Sequence, residues 1–214
     1  METAPRHQCM IYEGAPALHL KPVAALMRQR LEDNYRCIYM NSAAMVTGIQ
    51  AALNDLGVDV AGRIKNGSLV VSSKPVVSKN GDFNITEMIG QLEAAVDQAV
   101  ADGYKGLFAT GDMTWEFGPR ENFAKLVEYE WQLEKLFRRR PQLTGICQYH
   151  NDTLSPEIMR QGLMTHRSVY INETLSYLNT HYIEPDEPIE RAPAKADLDI
   201  GLANLFIGKP LITA

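Results

Sequence analysis

The stretch Arg36-Cys37-Ile38-Tyr39-Met40-Asn41-Ser42 decides the fold. Its apolar and aromatic middle, Cys37 to Met40, suits a short buried strand. Ser42 then offers an N-cap oxygen, and Ala43 to Leu56 reads as a helix that ends at Gly57. A strand running straight into a capped helix is the repeating unit of an α/β sheet.

The same unit recurs on both sides. Upstream, Cys9 to Tyr12 reads as a first strand and His19 to Glu32 as a helix, with Pro22 in its first turn, where a missing N–H costs nothing. Downstream, Leu69 to Ser73 is a strand and Lys79 to Asp82 a turn. Asn84 opens a helix from Ile85 to Asp102 that Gly103 closes. Gly106 to Thr110 is the next strand. A long helix is expected from Pro119 through Arg140, where Pro141 stops it. Leu143 to Tyr149 is a strand, Glu157 to Met164 a helix, and His166 to Ile171 the last strand of the core. This alternation, repeated about six times, predicts a mainly parallel central sheet with helices on both faces. Ligands in such sheets bind beyond the carboxyl ends of the strands.

The chain has 214 residues, 45% of them hydrophobic and 22% charged. That is ordinary for a globular domain large enough to bury its own core. A net charge of −5 argues against a dedicated nucleic-acid binder. The basic run Arg138-Arg139-Arg140 ends a helix, where cations suit the dipole, and reads as a solvated cap. Cys9, Cys37 and Cys147 form no disulfide framework. Met1 to Gln8 has no apolar signal core, and no apolar run is long enough to span a membrane. Reduced thiols in the cytoplasm are the expectation. After Asn172, the prolines and acids between Glu184 and Pro193 read as an extended linker. Leu198 to Ile207 is an apolar stretch that either packs back or meets a partner. The expected division is therefore 1–172 and 173–214.

Three features carry chemistry. First, the segment Asn41 to Gly48 after the deciding strand lacks the lysine and glycine spacing of a phosphate-binding loop, which sets nucleotide hydrolysis aside. Second, Leu107 to Asp112 is an apolar strand ending in an acid, followed by Trp115, Glu116 and Phe117. Asp112 has the shape of the metal-and-water acid of nucleotide hydrolases, or else caps the next turn. The aromatics read either as core or as the wall of a small-molecule pocket. Third, His7 and Cys9 share one face of a strand, Cys147 and Tyr149 share a face of a later one, and His166 opens the last. These residues are either buried core groups or, if distant segments converge, ligands for a transition metal or a Cys–His pair. Glu130, beside the apolar stripe of the long helix, reads as a boundary acid in an ion pair or as a buried carboxylate.

In order along the chain, His7-Gln8-Cys9-Met10-Ile11-Tyr12, Cys37-Ile38-Tyr39-Met40 and Gly103-Tyr104-Lys105-Gly106-Leu107 are followed by Gly111-Asp112-Met113-Thr114-Trp115. Then come Leu126-Val127-Glu128-Tyr129-Glu130, Ile146-Cys147-Gln148-Tyr149 and Thr165-His166. This ordered set resembles the methanogen/methylotroph DcmR sensory domain, MEDS. The resemblance implies a sensory domain of bacterial and archaeal signalling proteins, with a degenerate RecA/KaiC-like three-layer core. It implies small hydrocarbon derivatives as ligands, and a neighbouring DNA-binding or kinase module as output. It points to His7, Cys9, Trp115, Glu116, Glu130, Cys147 and His166; Tyr12, Asp112 and Tyr149 join them as ligand-binding candidates. No kinase or helix-turn-helix module is recognisable here, so the expectation is either a stand-alone receptor or an output that lies in a signalling partner or outside this stretch of sequence.

The expected function is therefore small-molecule sensing rather than catalysis, regulating a partner or transcription. No catalytic residue is assigned and no cofactor is named. Direct nucleic-acid or membrane binding is not expected, and a homodimer is left open. A protein-interaction module, a metal or redox sensor, and a degenerate nucleotide-binding protein stand as alternatives.

Overall fold

The computed structural model describes residues 6–74, 83–113, 124–172, 175–185 and 193–206. Strand β1 (His7–Tyr12) is buried at every position. It is joined by β2 (Tyr35–Met40), β3 (Leu69–Ser72), β4 (Gly106–Asp112), β5 (Leu143–His150), β6 (Ser168–Asn172) and β7 (Leu175–Leu178) in one seven-stranded sheet of order β3-β2-β4-β5-β1-β6-β7. The first six strands are parallel, and β7 returns antiparallel on β6. The near-continuous burial of β1, β4 and β5 is what parallel strands covered on both faces require.

The helices form two outer layers. Helices α1 (Leu20–Glu32), α2 (Ala43–Asp55) and α3 (Val60–Lys65) cover one face, packing on Met10, Cys37, Tyr39, Phe108 and Ile146. Helices α4 (Ile85–Ala101), α5 (Leu126–Arg139), α6 (Pro156–Thr165) and α7 (Lys195–Phe206) cover the other, packing on Cys9, Ile11, Leu107, Cys147, Tyr149 and Val169. Adjacent residues of one strand thus serve opposite cores, as the strand's period of two demands. Each fully buried Leu, Ile or Phe side chain contributes about 1.5–3 kcal/mol through removal from water. The protein is an α/β three-layer sandwich, as the alternating pattern predicts.

Local chemistry sets the helix starts. The side chains of Ser42, Asp59, Asn84 and Ser155 each accept a backbone N–H from the first turn of α2, α3, α4 and α6. Gly57 and Gly103 hold φ of +81° and +86° after α2 and α4, a region that favours glycine.

Several expectations shift. The first strand begins at His7 rather than Cys9. His166 does not open the last strand; it has extended backbone at the C-cap of α6, and β6 begins two residues later at Ser168. The α3 turn was hidden by its brevity. The described part of the long helix begins at Leu126; its expected start at Pro119 and the turn at Lys79 to Asp82 lie outside the described residues.

Beyond Asn172 the chain adds β7, and α7 packs back with Leu198 and Leu202 in the core. Arg160 on α6 pairs with Asp199 on α7 at 2.7 Å. The basic run at the end of α5 is spent on ion pairs: Arg138 with Glu134 and Glu184, Arg139 with Glu93, Arg140 with Glu93 and Asp97. Among the described residues, no helix is long and apolar enough to cross a membrane.

Candidate functional site

Strand β1 carries a polar side chain at each end, and each belongs to a different constellation. Tyr12, its last residue, lies at the carboxyl edge of the sheet. Chain leaving β1 passes to the α1 face, whereas chain leaving β4 and β5 passes to the α5 and α6 face. Such a divergence opens a crevice at the strand ends. A cleft of about 370 Å³ sits there, between Tyr12, Asn41, Ser42, Met45, Asp112 and His150. That volume falls within the ~300–1,000 Å³ of typical small-molecule sites.

The cleft wall is an ordered polar network. Tyr12 donates its hydroxyl proton to Asp112 Oδ2 at 2.7 Å. Its ring stacks on His19 at a centroid distance of 3.6 Å and on His150 at 4.6 Å. Burial and the neighbouring Asp112 push the Tyr12 hydroxyl's pKa well up, so it stays a donor. His19 Nε2 donates to Gln148 Oε1 at 2.9 Å. Gln148 in turn donates to Thr110 Oγ1 at 2.7 Å. Burial lowers the pKa of His19 and keeps it neutral. His150 Nε2 donates to the Gly14 carbonyl at 2.9 Å. Ser42 uses its oxygen to cap α2.

His7, the first residue of β1, points into the opposite core. The parallel register sets Cys9 against Cys147 and His7 against Gly145. Cys147 Sγ lies 3.5 Å from His7 Nε2 and 3.6 Å from Glu130 Oε2. Glu130 Oε2 is also 3.3 Å from His7 Nε2 and 3.4 Å from His166 Nε2. Four donor atoms, one each from His7, Glu130, Cys147 and His166, lie within 4.8 Å of one another, all on buried residues. Tyr149 donates its hydroxyl proton to Glu130 Oε1. Gly162 lets α6 close on this group: an added Cβ there would stand 2.7 Å from the Tyr149 ring.

Electrostatics bind the cluster together. Burial disfavours the His7 cation, but Glu130 and Glu134 outweigh it and raise the pKa. Burial alone would raise Glu130; His166, His7 and the Tyr149 hydroxyl hold its carboxyl below the usual range. Glu134 is pushed down to about 2, since His7 and Arg138 overcome its burial. His166 falls to about 4 because burial dominates the pull of Glu130.

The structure thus gathers His7, Glu130, Cys147, Tyr149 and His166 in one buried cluster. Cys9 lies beside it, close enough for its thiol to feel Glu130, but is not one of the four donors. Tyr12 and Asp112 belong to the cleft instead. Trp115 and Glu116 lie outside the described residues. Sequence reasoning missed Glu134, His19, Gln148 and His150. Glu134 was discernible as the residue one helical turn from Glu130 on the same face. The other three carry no local pattern, since only the sheet order unites them.

Residues 6–167 match the family described as MEDS, the MEthanogen/methylotroph, DcmR Sensory domain. The match spans all of β1 through α6, and the chain belongs to this family of sensory domains. No curated protein matches it.

Proposed function

We propose that this chain senses a small organic molecule in the carboxyl-end cleft and passes the signal to a partner protein, without chemical turnover. The observation that carries the reading is the Tyr12–Asp112 hydrogen bond at the wall of a cleft of ligand size. Asp112, Tyr12 and His150 offer polar anchors, and Met45 and Pro16 offer apolar surface. A compound with a short hydrocarbon body and one polar group, the ligand class the family resemblance suggests, fits that mixture. Such a ligand competes for Asp112 and favours whichever arrangement of the Tyr12 ring it contacts, which is how binding shifts a two-state equilibrium. Binding rather than catalysis is the reading because each hydroxyl lining the cleft has a structural partner: Tyr12 donates to Asp112, Thr153 donates to the His150 carbonyl, and Ser42 accepts from the Met45 N–H. Transcriptional output through a partner and assembly as a homodimer are part of the same proposal.

The test pairs native mass spectrometry with thermal denaturation in the presence of short-chain alcohols, alkyl halides and carboxylates. The expected result is a copurified mass, or a rise in Tm with one chemical class, either of them lost in Asp112→Asn. A rise in Tm that survives unchanged in both Asp112→Asn and Tyr12→Phe places the ligand elsewhere and overturns the cleft reading.

A further inference from the structure

We propose that His7, Glu130, Cys147 and His166 form a four-ligand, tetrahedral site for a divalent transition-metal ion of the zinc class. The site is separate from the cleft: it begins at the first residue of β1, not the last.

The distances carry the argument. Zinc holds nitrogen, oxygen and sulfur donors at roughly 2.0–2.3 Å in a tetrahedron, which puts neighbouring donors about 3.3–3.6 Å apart. Here His7 Nε2 to Glu130 Oε2 is 3.3 Å, His166 Nε2 to Glu130 Oε2 3.4 Å, Cys147 Sγ to His7 Nε2 3.5 Å, and Cys147 Sγ to Glu130 Oε2 3.6 Å. Hydrogen bonding alone explains this group poorly. His166 is 0% exposed, and its Nε2 has no hydrogen-bond partner among the described residues. That nitrogen aims at the carboxylate oxygen that the other two donors also face.

The surroundings orient the donors as metal ligands require. A ligating histidine usually donates its other ring N–H to a carboxylate or carbonyl, which fixes the tautomer. His7 Nδ1 donates to Glu134 Oε2 at 3.2 Å, and His166 Nδ1 donates to the Gly162 carbonyl at 2.8 Å. Both Nε2 lone pairs are then left for the centre. Tyr149 occupies Glu130 Oε1 and leaves Oε2 facing inward. Arg138 and Tyr182 anchor Glu134 from outside.

Charge balances as well. A thiolate from Cys147 and the carboxylate of Glu130 neutralise one divalent cation, so the bound site carries no net charge into the core. Tetrahedral nitrogen, sulfur and oxygen donors suit zinc. Four protein ligands leave no position for a metal-bound water, the arrangement of a structural rather than a hydrolytic site. The ion would pin β1, β5, α5 and the end of α6 to one point.

The full-length chain is purified and its metal content measured by elemental mass spectrometry. The stripped protein is then titrated with Zn²⁺ and Co²⁺. One equivalent of zinc is expected, with a rise in Tm on zinc addition. Cobalt is expected to give intense visible bands of tetrahedral geometry and a sulfur-to-metal charge-transfer band. Cys147→Ser abolishes the charge-transfer band, and Cys37→Ala retains it. Glu134→Gln leaves all four ligands in place and weakens zinc binding by about 10–100-fold, as loss of an outer-shell partner does. A wild-type protein that is folded, copurifies without metal, and shows neither a zinc-dependent Tm nor tetrahedral cobalt bands overturns the site. So does a charge-transfer band that persists in a folded Cys147→Ser variant.

Discussion

Cys9 and Cys147 stand directly opposite each other in the parallel β1–β5 ladder, and their sulfurs have different fates. Cys147 Sγ sits among His7 and Glu130, whereas Cys9 is an apolar core residue whose thiol pKa is driven up by burial and by the Glu130 charge. Two thiols on neighbouring strands therefore divide into a candidate ligand and packing material.

Cys9 and Cys37 resist modification in the native protein. Both are fully buried, and burial pushes the Cys37 thiol up to about 12. The thiolate is the reactive form, so neither alkylates until the domain opens. Peptide-level mass spectrometry after iodoacetamide treatment checks this. Alkylation of Cys9 or Cys37 within minutes, at a denaturant concentration where the sheet is intact, would contradict their placement.

Gly162→Ala destabilises the fold by about 1–3 kcal/mol, the usual cost of overpacking a well-filled core. The added methyl would meet the Tyr149 ring at 2.7 Å, and moving that ring strains its bond to Glu130. Urea denaturation measures the loss. Gly90→Ala serves as the control, because an added Cβ there meets nothing within 4 Å and alanine favours the helix interior.

Acid weakens the protein through His19. A histidine whose folded pKa lies below its unfolded value binds fewer protons folded than unfolded in the interval between the two. Its contribution is therefore present above the unfolded value of about 6.5 and is lost as pH falls through that interval. His19 is such a group, held neutral by burial and bonded to Gln148. His19→Gln should be less stable than the parent at pH 8, and the difference should shrink toward pH 5. Denaturation midpoints of both proteins across that range provide the measurement; parallel pH profiles would assign the acid sensitivity to other groups.

The layered architecture was legible because its causes are local. Buried strands such as Gly106 to Thr110 announce themselves as apolar runs. Ser42, Asn84 and Ser155 mark helix starts because a side-chain oxygen satisfies an unpaired N–H in the next turn. The apolar tail allowed packing back or meeting a partner, and in α7 Leu198 and Leu202 pack back onto the core.

The chemistry-bearing clusters were legible only as candidates. His7, Cys147 and His166 stand out as residue types, and Glu130 as an acid beside an apolar stripe. Spacing along the chain gives no reason for them to meet, because they come from two strands, a helix and a helix end.

By itself, the sequence determined the α/β class and the capped helices, which rest on neighbours within a few turns, the family, which rests on an ordered series of short motifs, and the residue types able to bind a ligand or metal. Only the tertiary structure decided that β5 lies between β4 and β1. That order brings Tyr12 to Asp112 at one end of the sheet, and His7 to Cys147 beneath α5. The physical reason is that strand order is set by which helix faces can be buried together. This is a property of the whole packed chain that no local segment contains.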